Sequence, residues 1–186
     1  MTIRKAQILD ADDVVQLIYL AIKDIAYQLT GEDELDNVLL QLKSFYVEDG
    51  NRFSHHLIQV MELDQKVVGM ILCYDGHEAS KLYEPIWKHL HNIKQIPTPI
   101  IDTEADADEY YIDALAVAPA YQGKGIGKAL FVAAEQFARQ KQFSKIALNV
   151  DLLNERALAL YTSLGYQADK QIIINNRPYW HMAKQL

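Results

Sequence analysis

A single cysteine, Cys73, carries all the thiol chemistry of this 186-residue chain. One thiol closes no internal disulfide and builds no multi-cysteine zinc site, so stapled and zinc-ribbon folds are excluded. Its place in the apolar stretch from Val67 to Tyr74 suits a small buried hydrophobe. Long apolar runs are missing too. No stretch of about 18 uncharged apolar residues occurs, and the opening MTIRKAQILDADD has no secretion-type apolar core, so a soluble, cytoplasmic protein without a membrane partner is expected. Basic charge is in deficit. Eighteen Lys and Arg face 25 Asp and Glu, a formal net charge of −7, which opposes a nucleic-acid backbone as partner and still allows one local basic patch to hold an anion. No repeat or low-complexity linker is visible. With half the residues hydrophobic and 23% charged, the balance is that of one globular domain over residues 1–186.

Thr2 to Ile8 suits a short strand. Asp10 then precedes Val14, Leu17, Ile18 and Ala21, the spacing of a capped amphipathic helix. Glu34 to Phe45 repeats that pattern through Leu35, Val38, Leu39 and Leu42. His56 to Leu63 and Val67 to Tyr74 predict a hairpin across Asp64-Gln65-Lys66. Residues 75–108 break the rhythm and read as an insertion. It holds a helix from Ala79 to His91, the segment Ile96-Pro97-Thr98-Pro99-Ile100, and an acidic run through Asp102, Glu104, Asp106 and Asp108 that continues to Glu109. Those acids suit a solvated loop or, alternatively, a field that favours a cationic amine. Tyr110 to Val117 is strand-like, Gly127 onward is helical, Lys145 to Val150 is a strand, and Glu155 to Leu164 is a helix ending at Gly165. Gln171 to Ile174 and Tyr179 to Lys184 form a last hairpin across Asn175-Asn176-Arg177. Helices mixed with hairpins predict an α/β (mixed α+β) fold around a mixed sheet.

The segment Gln122-Gly123-Lys124-Gly125-Ile126-Gly127-Lys128-Ala129 joins a strand to a helix. Glycines admit an anion close to the backbone, and the free N–H groups and positive dipole end of a helix start favour phosphate there. A nucleotide P-loop fits poorly, because Gly127-Lys128 leads to Ala129, which cannot ligate magnesium. A dinucleotide fingerprint fits poorly as well, because the spacing is G-x-G-x-G and follows a hairpin.

Gln122-x-x-Gly125-x-Gly127 matches the Q/R-x-x-G-x-G/A signature of the GCN5-related N-acetyltransferases, and Leu115-Ala116-Val117-Ala118-Pro119 resembles the strand before it. Downstream, Asn154 to Tyr166 resembles the family's next helix and turn, and Tyr179-Trp180-His181-Met182 a common final strand. The resemblance is close from Tyr110 to Tyr166. It implies a twisted, mostly antiparallel mixed sheet with helices on both faces, and acetyl-CoA as cosubstrate between two splayed parallel strands. It implies that Val117 holds pantetheine through its backbone, with Gln122, Gly123, Lys124, Gly125, Gly127 and Lys128 at the pyrophosphate. The Leu115 N–H would polarise the thioester carbonyl. Asn154 would contact the CoA arm, and Tyr161 would protonate the leaving thiolate. Spacing alone also allows Asn154 to be a helix cap and Tyr161 a packed aromatic.

An amine attacks only when neutral, so a proton acceptor is needed. Glu109, Tyr111, Asp113, Leu115 and Val117 alternate onto one strand face unless a bulge shifts the register. Asp113 is the first candidate base and Glu109 the second. Tyr83 and Trp87 on the insertion helix either pack on the sheet or wall an acceptor pocket. His55-His56 and His89-x-His91 lack a complete ligand set, so no metal is expected. The resulting expectation is direct acetyl transfer to a primary amine on a small molecule or peptide, with Cys73 no nucleophile. The alternative is a non-catalytic acyl-CoA-binding or regulatory module. A homodimer stays open.

Overall fold

The computed structural model describes residues 1–186. Its elements run β1 (Thr2–Lys5), α1 (Ala11–Ile22), α2 (Asp24–Thr30), α3 (Leu35–Val47), β2 (Ile58–Leu63), β3 (Lys66–Asp75), α4 (Ala79–Lys88), β4 (Tyr110–Val117), α5 (Ile126–Gln140), β5 (Lys145–Asp151), α6 (Glu155–Ser163), β6 (Gln167–Ile174) and β7 (Arg177–Gln185). The strands form one seven-stranded sheet in the order β1-β2-β3-β4-β5-β7-β6. Only β4 and β5 are parallel; every other pair is antiparallel. Both hairpins turn on residue pairs with positive φ: Asp64 and Gln65 at 51° and 63°, Asn175 and Asn176 at 48° and 58°. Such turns match the twist of the flanking strands.

Two apolar layers sandwich the sheet. Val14 and Ile18 of α1, Ala26 of α2, Val38 and Leu42 of α3 and Ile86 of α4 bury against Val60, Met70, Leu72, Tyr111 and Ala114 on one face. Ile126, Leu130, Phe131 and Ala134 of α5 bury against Val68, Ile71, Ile112, Leu148 and Met182 on the other, where Leu158 and Tyr161 of α6 also pack.

Several local readings change. Asp10 does not cap α1; its carboxylate accepts the Gln7 N–H at 2.7 Å and both terminal nitrogens of Arg4 at 2.7 and 2.8 Å, closing a single turn before the helix. The short helix α2 escapes a periodicity reading, although its apolar Ala26 and Leu29 and its stop at Gly31, left-handed at φ 66°, were available as signals. Strand β4 is bulged. Leu72 pairs with Ala114 and Cys73 with Ile112, leaving Asp113 as the extra residue. The five residues expected on one face are therefore divided: Tyr111 faces the α1–α4 layer, while Leu115 and Val117 pack with α5.

The acidic run is mixed: Glu104 and Glu109 are buried, while Asp106 and Asp108 keep 40% and 77% of their side chains exposed in ion pairs. It lies as a strap across β5, β6 and β7. Asp102 accepts the Asn175 N–H at 2.7 Å, Asp106 the Lys170 ammonium at 2.6 Å, and Asp108 the Lys145 ammonium at 2.8 Å. Gly76 lets the strap approach, since a Cβ there would stand 1.8 Å from the Asp106 carbonyl oxygen. Replacing Gly76 with alanine is therefore expected to shift the strap and lower the thermal midpoint, measured by circular dichroism against wild type.

His181 anchors the strap's end. Its Nδ1 lies 2.6 Å from Asp169 and its Nε2 3.1 Å from Glu109. Burial opposes its charge, but the two carboxylates outweigh burial and hold its pKa above the ordinary 6.5. The stabilisation from protonated His181 is thus full below 6.5 and is lost as pH rises through the higher folded value. Urea titrations of wild type and His181→Gln should show a gap that is widest at acidic pH and closes above the histidine's titration; a constant gap contradicts the linkage.

Candidate active site

The parallel pair is joined over three positions only, Tyr110 with Ile146, Tyr111 with Ala147 and Ile112 with Leu148; beyond them β4 and β5 part. The Ala118 N–H donates to Val68 of β3 at 2.9 Å. Strand alternation then turns the amides of Ala116 and Ala114 toward β3, and those of Leu115 and Val117 toward the fork. The Val117 carbonyl accepts the Gln122 side-chain amide at 3.1 Å, which ties the glycine turn to the strand.

At the turn, Gly123 and Gly125 have φ of 75° and 79°, and a Cβ on either would meet nothing within 4 Å. The glycines thus relieve no internal clash; they hold a left-handed backbone and leave its outer side clear. The amides of residues 123–128 donate to no group of the chain, and the first intrahelical bond of α5 is Ala129 N–H to the Gly125 carbonyl at 3.0 Å. Six consecutive free donors at a helix start form an anion cradle. The Lys124 ammonium folds back to the Ala120 carbonyl at 3.2 Å, and Lys128 sits in the first turn of α5. This donor set fits the pyrophosphate of a CoA thioester, and the fork fits its extended arm.

Asn154 caps α6, its Oδ1 accepting the Ala157 N–H at 3.1 Å. Tyr161 follows two turns later, its ring 5.4 Å from that of Phe131 and 6.5 Å from that of Tyr166. Burial raises its pKa above the ordinary 10, so the hydroxyl keeps its proton at neutral pH. Cys73 is buried, and burial followed by the charge of Asp113 pushes its thiol well up, which leaves no thiolate.

The two candidate bases are committed elsewhere. Asp113, with its side chain 1% exposed, takes Arg52 Nη2 at 2.6 Å and Nε at 2.8 Å in a two-pronged pair. Glu109, fully buried, holds His181 and the Asp106 N–H through Oε1, while its Oε2 stands 3.3 Å from Lys145 without hydrogen-bond geometry. Both carboxylates are buried and already held by partners within the chain.

Arg52, Glu104 and Asn149 complete the fork, and a motif reading passes over them. Arg52 Nη1 donates to Glu104 Oε1 at 3.0 Å, the Tyr111 hydroxyl to Glu104 Oε2 at 3.1 Å, and Asn149 Nδ2 to the Tyr111 oxygen at 2.8 Å and the Glu104 carbonyl at 2.9 Å. Tyr83 is buried, bonding Tyr74 at 2.8 Å and lying 5.0 Å from the Arg52 guanidinium, whereas Trp87 stays 41% exposed and stacks on His91. Of the histidine pairs, His89 binds the Thr30 carbonyl and His56 lies 3.1 Å from Asp49, with His55 beside them.

A sheet forked at its parallel centre, beside a helix start lined with free amides, defines an α/β class with a cleft for a long anionic ligand. The chain belongs to the acetyltransferase (GNAT) family, whose model matches residues 20–166. It is 32% identical to an N-acetyltransferase structure from Staphylococcus aureus Mu50, covering 98% of this chain and 100% of that one with a TM-score of 0.81. A PaiA N-acetyltransferase from Thermoplasma acidophilum in complex with coenzyme A shares the fold at 17% identity, with a TM-score of 0.60 over 100% of this chain and 98% of that one. Curated relatives match over a segment: the N-alpha-acetyltransferase RimI of Mycobacterium tuberculosis at 44% identity over 32% of this chain and 35% of its own length, and a mycothiol acetyltransferase of Renibacterium salmoninarum at 47% over 31% and 17%. No helix is long and apolar enough to cross a membrane.

Proposed function

We propose that the chain transfers acetyl from acetyl-CoA directly to a primary amine. The observation that carries this reading is the run of unpartnered amides at residues 123–128 beside the fork. When bound, the thioester supplies the activated acetyl group. The amides from Gly123 to Lys128 hold its pyrophosphate, and the fork-facing amides of Val117 and Leu115 take the arm as a strand takes a neighbour. The Leu115 N–H is aimed where negative charge develops on the carbonyl oxygen; such a donor is worth about 3–4 kcal/mol in the transition state. Tyr161 gives its proton to the departing sulfur, and the Asn154 side-chain amide flanks the arm. With Cys73 held as a buried thiol, no acetyl-enzyme is needed.

Calorimetric titration with acetyl-CoA, followed by thiol release in the presence of ethylamine or a peptide with a free N-terminus, tests the reading. Amine-dependent release is expected. Stoichiometric binding without release would instead define a carrier-binding module. Gly125→Val tests the cradle: a branched residue at φ 79° strains the turn and blocks anion approach, so affinity should fall at least about tenfold, ~1.4 kcal/mol.

A further inference from the structure

We propose that Glu104, on the strap before β4, accepts the proton of an acceptor amine that reaches the fork as an ammonium ion. The inference rests on acetyl transfer to an amine, as read above, and adds the residue that prepares the nucleophile and the charge class of the acceptor.

Position comes first. Asp113 and Asn149 are the residues immediately past the last joined rung, Ile112 with Leu148, so the network they belong to straddles the point where β4 and β5 separate. Glu104 sits inside that network, bonded to Arg52 and Tyr111 and through its own carbonyl to Asn149. It lies against the α1–α4 side of the sheet, where Tyr111 packs, opposite the face on which α5 presents the cradle. An amine arriving there meets the carbonyl carbon from the side away from the carrier.

Charge comes second. The groups around Glu104 are Arg52 from the segment before β2, Asp113 and Tyr111 from β4, Tyr74 from β3, Tyr83 from α4 and Tyr179 from β7. Arg52 is the single cation among them and faces two carboxylates. Asp113 takes two of its nitrogens and Glu104 Oε1 the third, while Glu104 Oε2 accepts the Tyr111 hydroxyl, so two acids share one positive charge. Burial, its largest influence, lifts the Glu104 pKa above the ordinary 4.5, while Arg52 and Tyr111 pull it back down. One acceptor atom is also unused: Asn149 Oδ1 is buried and receives no hydrogen bond. An ammonium ion supplies both the missing positive charge and a donor for that oxygen.

The step balances. The ammonium gives one proton to the Glu104 carboxylate, and the freed nitrogen lone pair forms the C–N bond as the C–S bond breaks. Tyr161 protonates the thiolate, and the second nitrogen proton restores the tyrosine. Glu104 then releases its proton to solvent. Activity therefore rises as pH climbs through the Glu104 titration.

The test follows ethylamine-dependent thiol release across pH for wild type, Glu104→Gln and Tyr111→Phe, with acetyl-CoA titrated into each as a check on folding. Glu104→Gln should lose about 100-fold or more in kcat/KM while still binding acetyl-CoA. Tyr111→Phe removes a hydrogen bond that stabilises the carboxylate, so its acid limb should move to higher pH, a shift that a purely structural role would not produce. Should Glu104→Gln fail to fold, the Tyr111→Phe limb decides alone. Near-wild-type activity in Glu104→Gln, or an unmoved limb in Tyr111→Phe, overturns the assignment of Glu104. If wild type binds acetyl-CoA and shows no ethylamine-dependent release, the amine reading fails and the proposal with it.

Discussion

Replacing Arg52 with alanine should lower the unfolding free energy by about 3–5 kcal/mol, because it strands Asp113 and Glu104 as buried carboxylates. Their side chains are 1% and 9% exposed, and the guanidinium between them is 2% exposed. Water replaces the lost partner only in part there. For a domain of this length the change corresponds to a drop of roughly 10 °C in thermal midpoint. Urea denaturation measures it. Pairing Arg52→Ala with Asp113→Asn should recover part of the loss, since the second substitution removes one of the stranded charges. A loss below about 1 kcal/mol, the range of an exposed ion pair, would show that the two carboxylates find other partners once the guanidinium is gone.

Tyr161→Phe carries the largest expected effect on chemistry. The substitution keeps the ring that packs on Phe131 and Tyr166 and deletes only a hydroxyl with no partner in the chain, so folding and acetyl-CoA affinity should stay near wild type. Losing a positioned proton donor costs about 10²- to 10⁴-fold in rate. If Tyr161 is the proton donor proposed above, the loss should fall on kcat, because such a donor acts when charge builds on sulfur and not when the carrier docks. Unchanged kcat would assign thiolate protonation to solvent.

Much of this was legible in the sequence, for physical reasons. Gln122 to Lys128 could be read because a glycine turn entering a helix acts through backbone amides, which depend on local conformation alone. Spacing also announced the places Asn154 and Tyr161 occupy, a helix cap and an aromatic packed on Phe131 and Tyr166. The hairpins at Asp64-Gln65 and Asn175-Asn176 are likewise local. Failure came where partners are remote. Arg52 and Asp113 lie 61 positions apart, and nothing near either residue announces the other. The acidic run resembles any solvated loop until β5, β6 and β7 bring Lys145, Lys170 and His181 beneath it. The bulge at Asp113 also defeats alternation, because one extra residue sends the side chains after it to opposite faces from those a regular strand would give.

The three rungs between β4 and β5 also make a mechanical seam. Strands β1 to β4 form one antiparallel raft and β5 to β7 another, joined strand to strand by this short zip and further tied by the strap and the α5 layer. Stretched from its two ends in an optical trap, the molecule should part along this seam once those ties give way, releasing two plates in sequence. A thioester lodged in the gap would bridge them as a non-peptide splint, raising the force at which the first tear occurs.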